Sequence, residues 1–169
     1  MMGQVFTVET AQASDLTEID ALFARSYPAL LKDHYPPSLR VTAIPMIARA
    51  KPELVATGTY FVVRDAHDIV GAGGWTRSRV GPLPGQSASI GNIRHVVTDH
   101  TRVREGIGRK LMDHIFADAR KQGILRMDCL STRMAVPFYQ ACGFTKVGDS
   151  LIPLAAGIEF PAVAMQRDI

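Results

Sequence analysis

Cysteine is nearly absent: Cys129 and Cys142 are the only two in 169 residues. Two isolated thiols exclude a disulfide framework and a zinc cluster. They read as packed core groups in a reducing, cytoplasmic setting, and no metal is expected. No apolar run approaches the ~20 residues of a membrane-spanning helix, so no membrane partner is expected. The segment Met1 to Thr10 lacks a basic stretch followed by an apolar one, which argues against a secretory signal. Repeats, low-complexity tracts and linkers are also missing, and 47% hydrophobic content suits a single domain spanning residues 1–169.

Charge of one sign is not in large excess: the net is +3. Its distribution is more informative. Arg94, His95, His100, Arg102, Arg104, Arg109 and Lys110 crowd into seventeen positions. Such a cluster can receive a polyphosphate or a nucleic acid. No aromatic residue interleaves it, and no helix-turn-helix or zinc signature accompanies it, so no nucleic-acid partner is expected.

The pattern of apolar residues predicts the order β-α-α-β-β-β-α-β-α-β-β. Val5 to Glu9 alternates as a first strand with Val5, Phe6 and Val8 buried. Leu16, Ile19, Leu22 and Phe23 recur at helical spacing after a cap at Ser14, and Pro28 predicts the helix end near Tyr27. A second helix is expected over Ser38 to Ala50, interrupted by Pro45. Thr59 to Arg64 and Ile69 to Arg77 read as a hairpin, and Gly81, Pro82, Pro84 and Gly85 as an exposed loop. Ser89 to Thr98 is the next strand. Ile107, Leu111, Ile115 and Ala119 then mark a strong helix stopped by Gly123. Ile124 to Leu130 is a strand with Leu125, Met127 and Cys129 on one face. A short helix from Arg133 to Ala141 and two closing strands, Phe144 to Ile152 and Phe160 to Gln166, complete the chain. The strand–helix–strand unit from Ser89 to Leu130 favours a parallel pair with a right-handed crossover.

Two motifs carry chemistry. Arg104-Glu105-Gly106-Ile107-Gly108-Arg109 sits between a strand and a helix. A helix start leaves backbone N–H groups unpaired, adds positive dipole, and with glycines admits a bulky anion closely. The result is a pyrophosphate site made of backbone. It is no P-loop, since Gly-Lys-Ser/Thr does not follow, and no dinucleotide fingerprint, since the third glycine is missing. Gly71-Ala72-Gly73-Gly74 lies within a strand and reads as a bulge or close packing. The second motif is Ala135-Val136-Pro137-Phe138-Tyr139-Gln140-Ala141-Cys142-Gly143-Phe144.

Together these motifs resemble the GNAT superfamily of acyl-CoA-dependent N-acyltransferases. Gly106 and Gly108 match the loop after the family's fourth strand, and Ala135, Phe138, Tyr139, Gly143 and Phe144 match the helix after its fifth. The specific match runs from about Ile93 to Phe144. The resemblance implies an α/β (α+β) fold: a mixed, mostly antiparallel sheet of six to seven strands, about four helices, and a parallel fourth and fifth strand splayed to admit CoA. It implies acetyl-CoA as cosubstrate and a primary amine of a small molecule or peptide as acceptor, attacking directly. Main chain at Val96, Val97 and Thr98 would bond the pantetheine arm, with the Val96 N–H on the thioester carbonyl. Val103, Arg104, Glu105, Gly106, Ile107, Gly108 and Arg109 would hold the pyrophosphate, and Tyr139 would protonate the leaving thiolate. A thiol near pKa ~8.5 and a phenol near ~10 make that transfer only modestly uphill.

Several positions depart from the family pattern. Val103 replaces Gln or Arg, with Arg102 and Arg104 beside it to supply charge. Thr132 stands where Asn is common, and His100 where proline is frequent. Asn92 replaces the usual glutamate base, and an alkyl ammonium of pKa ~10.4 must lose a proton before attack. His95, Asp99, His100 or a water relayed through Asn92 are the candidates, with His95 on the strand face opposite Asn92 unless a bulge shifts it. Tyr27, His34, Tyr35 and Trp75 are candidates for the acceptor pocket. A non-catalytic acyl-CoA-binding module is the alternative reading, and the apolar segment Ile152 to Val163 is a candidate homodimer edge.

Overall fold

The computed structural model describes residues 5–77 and 89–169; the expected loop of Gly81, Pro82, Pro84 and Gly85 lies outside them. Among the described residues seven strands form one sheet: β1 Phe6–Thr10, β2 Tyr60–Asp65, β3 Asp68–Arg77, β4 Ile90–Thr98, β5 Arg126–Ser131, β6 Thr145–Pro153 and β7 Glu159–Asp168. Their order is β1-β2-β3-β4-β5-β7-β6. Every neighbouring pair is antiparallel except β4 and β5, which are parallel. Among the same residues five α-helices complete the fold: α1 Leu16–Leu31, α2 Pro37–Ile47, α3 Pro52–Val55, α4 Ile107–Lys121 and α5 Val136–Ala141. None is long and apolar enough to cross a membrane. The expected mixed α/β fold with a parallel β4/β5 pair is therefore present.

Both faces of the sheet are covered, so β2 is buried along most of its length and its side chains divide between two cores. Phe61 and Val63 join α4 residues Ile107, Leu111, Met112, Ile115 and Phe116 on one face. Tyr60 and Val62 join α1 residues Ile19, Leu22, Phe23 and Leu31 on the other. The fourfold apolar spacing of α4 thus lies flat on the sheet.

Local expectations fail where tertiary burial overrides them. Helix α1 continues through Pro28 to Leu31. The missing proline N–H leaves one carbonyl without its helical bond, but Tyr27 and Leu31 on the far side are buried at 9% and 1% exposure. A helix start at Ser14 is replaced by a 3-10 turn, closed by the Asp15 carboxylate accepting from the Gln12 N–H at 2.8 Å. The one-turn helix α3 was not expected. Val5 is 72% exposed and Leu125 65% exposed, because the strands beside them begin one residue later.

Candidate functional site

β4 and β5 are hydrogen-bonded only over Ile90–Asn92 against Arg126–Asp128. Beyond that the strands part, and a cleft of about 1200 Å³ opens between them. One wall is β4 from Asn92 to Thr98 and the loop to α4; the other is the end of β5 and α5.

β4 is distorted where it borders the cleft. Gly74 pairs with Arg94 and Ala72 with Val97, so His95 and Val96 together oppose Gly73 alone. This is the bulge, and it places His95 in the left-handed region at φ 44°. Glycine is required opposite it: a Cβ on Gly73 would lie 2.6 Å from Val96 Cγ2, and one on Gly74 would strike the Thr59 carbonyl. The Tyr60 hydroxyl donates to the His95 carbonyl at 2.9 Å and fixes the distortion. His95 consequently lines the cleft together with Asn92 and Arg94. Its ring stacks over Phe23 at 6.3 Å. Burial, reinforced by Lys51 and Arg94, lowers its pKa to about 4, so it is a neutral imidazole at pH 7.

The loop to α4 is braced by charge. Asp99 accepts from the Thr101 N–H at 2.9 Å and hydroxyl at 2.7 Å, and pairs with Arg25 at 3.4 Å. Burial works to raise the Asp99 carboxyl, but the Thr101 hydrogen bonds and Arg25 together bring it below its ordinary value. Arg102 bridges Asp65 at 2.5 Å and Glu105 at 3.1 Å, so it is committed to holding the loop.

At Gly106 the backbone turns to φ 83°, a conformation that favours glycine. The first helical bond runs from the Lys110 N–H to the Gly106 carbonyl at 3.0 Å, which leaves the amides of Ile107, Gly108 and Arg109 without helical partners. No side chain caps the helix and no acidic residue stands in its first turn. The bare amides and dipole therefore face the cleft uncompensated. A Cβ on Gly108 would lie 2.7 Å from the Phe138 ring, so the helix start is pressed against the opposite wall.

Tyr139 on α5 reaches the cleft floor between β4 and β5 at 5% exposure. Burial, with the Cys129 thiol it hydrogen-bonds, raises its pKa well above the ordinary phenol value. The phenol holds its proton, and the transfer is more uphill than an unperturbed tyrosine implies unless the departing thiolate is equally shielded from water. Both cysteines are free and buried. Among the described residues no group of His, Cys, Asp and Glu could hold a metal.

The expected cofactor-binding residues except Glu105, together with Asn92, His95 and Tyr139, line this one cleft. The Glu105 carboxylate turns to Arg102. The alternative bases Asp99 and His100 stand outside the cleft, Asp99 held by Thr101 and Arg25. The acceptor candidates fare differently. Tyr27 lines the cleft. Trp75 belongs to the opposite core, where its indole N–H donates to Asp118 at 2.8 Å. His34 is exposed outside the cleft. Tyr35 is buried behind it, donating to the Pro161 carbonyl at 2.8 Å and accepting from the Arg133 N–H at 2.9 Å.

The model of the acetyltransferase (GNAT) domain family matches residues 56–146 of the 169, more than half of the chain. The chain belongs to the GNAT acetyltransferase family. The matched span carries β2 to α5 and most of the cleft. The GCN5-related N-acetyltransferase structure from Rhodopseudomonas palustris superposes with a TM-score of 0.75 at 15% identity, covering 100% of this chain and 99% of that one. The paia N-acetyltransferase from Thermoplasma acidophilum, in complex with coenzyme A, gives 0.69 at 12% identity, covering 98% and 99%. The structure of yncA from Salmonella typhimurium with acetyl-CoA gives 0.68 at 16% identity, covering 97% and 94%. No curated protein matches the chain by sequence.

Within this GNAT chain the sequence reading missed Lys51, Met46, Ile47 and Leu154, which also line the cleft. No periodicity or motif marks them. They arrive there through the packing of α2, α3 and the β6–β7 turn against the sheet.

Proposed function

We propose that this chain is a single-domain N-acetyltransferase that moves an acetyl group from acetyl-CoA to a primary amine of a small molecule or peptide by direct attack. The observation that carries this reading is the shared cleft: three open amides at its mouth and a protonated phenol at its floor, between strands that have parted. The bare glycine cradle at Gly106–Gly108, without a first-turn acid, suits a diphosphate.

The amides of Ile107, Gly108 and Arg109 hold the pyrophosphate, with Val103 and Arg104 flanking them. The main chain of Val96–Thr98 pairs with the pantetheine arm as an added strand, and Thr132 meets the arm from the other wall. The Val96 N–H, at the bulge, would donate to the thioester oxygen as negative charge gathers there. Acetyl-CoA supplies the activated acetyl group. The amine nitrogen bonds to the carbonyl carbon, the carbon–sulfur bond breaks, and Tyr139 gives its proton to the departing thiolate. The nitrogen sheds its surplus proton to water as the amide forms, and the phenol regains a proton from solvent. Asn92 can orient a water that takes the ammonium proton. His95, with a pKa near 4, is a weak base and is better suited to shaping the acceptor wall.

A second reading, a non-catalytic acyl-CoA-binding module, is favoured by one observation: no Asp or Glu lines the cleft among the described residues. Thiol release from acetyl-CoA in an amine screen separates the two. Turnover with any amine supports transfer, whereas CoA binding without turnover supports the module.

A further inference from the structure

The acceptor end of the cleft is apolar and cationic at once. Leu30, Met46, Ile47, Ile152, Leu154 and Phe160 line it, contributed by α1, α2 and the β6–β7 hairpin. Lys51 and Arg94 are the charged side chains on this part of the wall, and neither has an ion-pair or hydrogen-bonding partner among the described residues. Both act on His95, which places them around the same point. Among the described residues Glu53 is the acid that acts on His95, and its exposed side chain is off the wall. Segment 78–88, outside the described residues, carries Arg79 and no acid.

From this juxtaposition we infer that the acceptor is a small primary amine bearing a carboxylate beside an apolar group, an apolar α-amino acid being the simplest form, with Lys51 and Arg94 receiving the carboxylate. The inference rests on the transferase reading and narrows its substrate. Two unpaired cations attract an anion and repel a second positive charge, so polyamines are disfavoured. The apolar wall excludes water from the rest of the molecule and takes an aliphatic or aromatic side chain. The same positive field disfavours the ammonium form of the bound amine, as it does the imidazolium of His95. Lys51 and Arg94 thereby serve a site that lacks a carboxylate base.

The test compares matched pairs on the full chain. Thiol release is measured with L-leucine and L-phenylalanine, with their amides, with isoamylamine and with spermidine. Calorimetry with CoA present compares N-acetyl-L-leucine with N-acetyl-L-leucinamide, which needs no turnover. The carboxylate form is expected to win by tenfold or more in kcat/KM and in affinity. Arg94→Gln and Lys51→Gln should each cut that ratio about tenfold, and Arg94→Lys should keep most of it. Preference for the amides, for isoamylamine or for spermidine overturns the inference, as does an unchanged ratio in both variants. If no amine releases thiol, N-acetyl-L-leucine still decides: tighter binding than its amide supports the anion site while the transferase reading falls, and equal binding removes the site.

Discussion

Gly108 offers the most direct test of how the two motifs meet. In Gly108→Ala the new methyl carbon would lie 2.7 Å from Phe138 Cε1 and 3.0 Å from Cζ, with Thr98 Cγ2 at 3.6 Å. The ring must give way, and the open side available to it is the cleft. Two terms oppose each other in stability. Alanine in a helix gains ~0.8–1 kcal/mol over glycine, while forcing a methyl into a packed contact typically costs ~1–3 kcal/mol. The net loss is ~0–2 kcal/mol, a fall in melting temperature of roughly 0–8 °C for a domain of this size. Ligand affinity has no such offset, because the displaced ring narrows the gap beside the amides. The dissociation constant for CoA, measured by calorimetry, is expected to rise about tenfold, equivalent to ~1.4 kcal/mol. The double variant Gly108→Ala/Phe138→Leu should recover most of that loss, as contacting residues couple non-additively. A Gly108→Ala protein that melts higher and binds CoA like the parent would refute the packing of α4 against α5.

Further outcomes follow from the same geometry. Tyr139→Phe should slow thiol release by ~10²-fold or more with CoA affinity nearly kept; equal turnover would remove the phenol from the reaction. His95 binds its proton near pH 4 in the folded protein, against ~6.5 when unfolded. The unfolded chain therefore takes up a proton first, and the stability held above pH ~6.5 is lost as pH falls toward 4. Melting curves across that window should be shallower in pH for His95→Gln than for the parent. In the rate profile no inflection near pH 6.5 is expected from His95; kcat/KM should instead rise with deprotonation of the acceptor amine. Tyr35→Phe leaves the Pro161 carbonyl and the Arg133 N–H without the buried hydroxyl that joins them. It should cost ~1–3 kcal/mol, seen as a fall of roughly 2–12 °C in melting temperature.

The most legible parts of the sequence were those governed by local rules. The helix from Ile107 is written in fourfold apolar spacing and in glycines at both ends, and it forms as Ile107–Lys121 before Gly123 at φ 82°. The strand–helix–strand order gave the parallel pair. What escaped was set at a distance. Pro28 announces a stop, but burial of Leu31 carries the helix past it. The side of the sheet that Trp75 faces depends on the pleat of β3, and Asp118 on α4 receives its N–H. The bulge that brings His95 to the cleft was legible only as a condition, since its exact place is set by Gly73 and Gly74 on another strand. The arrival of Lys51 in the cleft depends on how α2 and α3 dock, for which no local pattern exists.

The short seam between β4 and β5 has one more consequence. Among the described residues its three rungs are the only ladder joining the sheet's first four strands, all drawn from the chain before residue 99, to the three that come after residue 125. The sheet is thus two successive lobes joined by backbone pairing at one end of the cleft and elsewhere by side chains, such as the Tyr35 hydroxyl between the Pro161 carbonyl and the Arg133 N–H. A guest that bonds to both jaws acts as a brace, so occupancy should be felt as resistance to prying the lobes apart, far from where the guest sits.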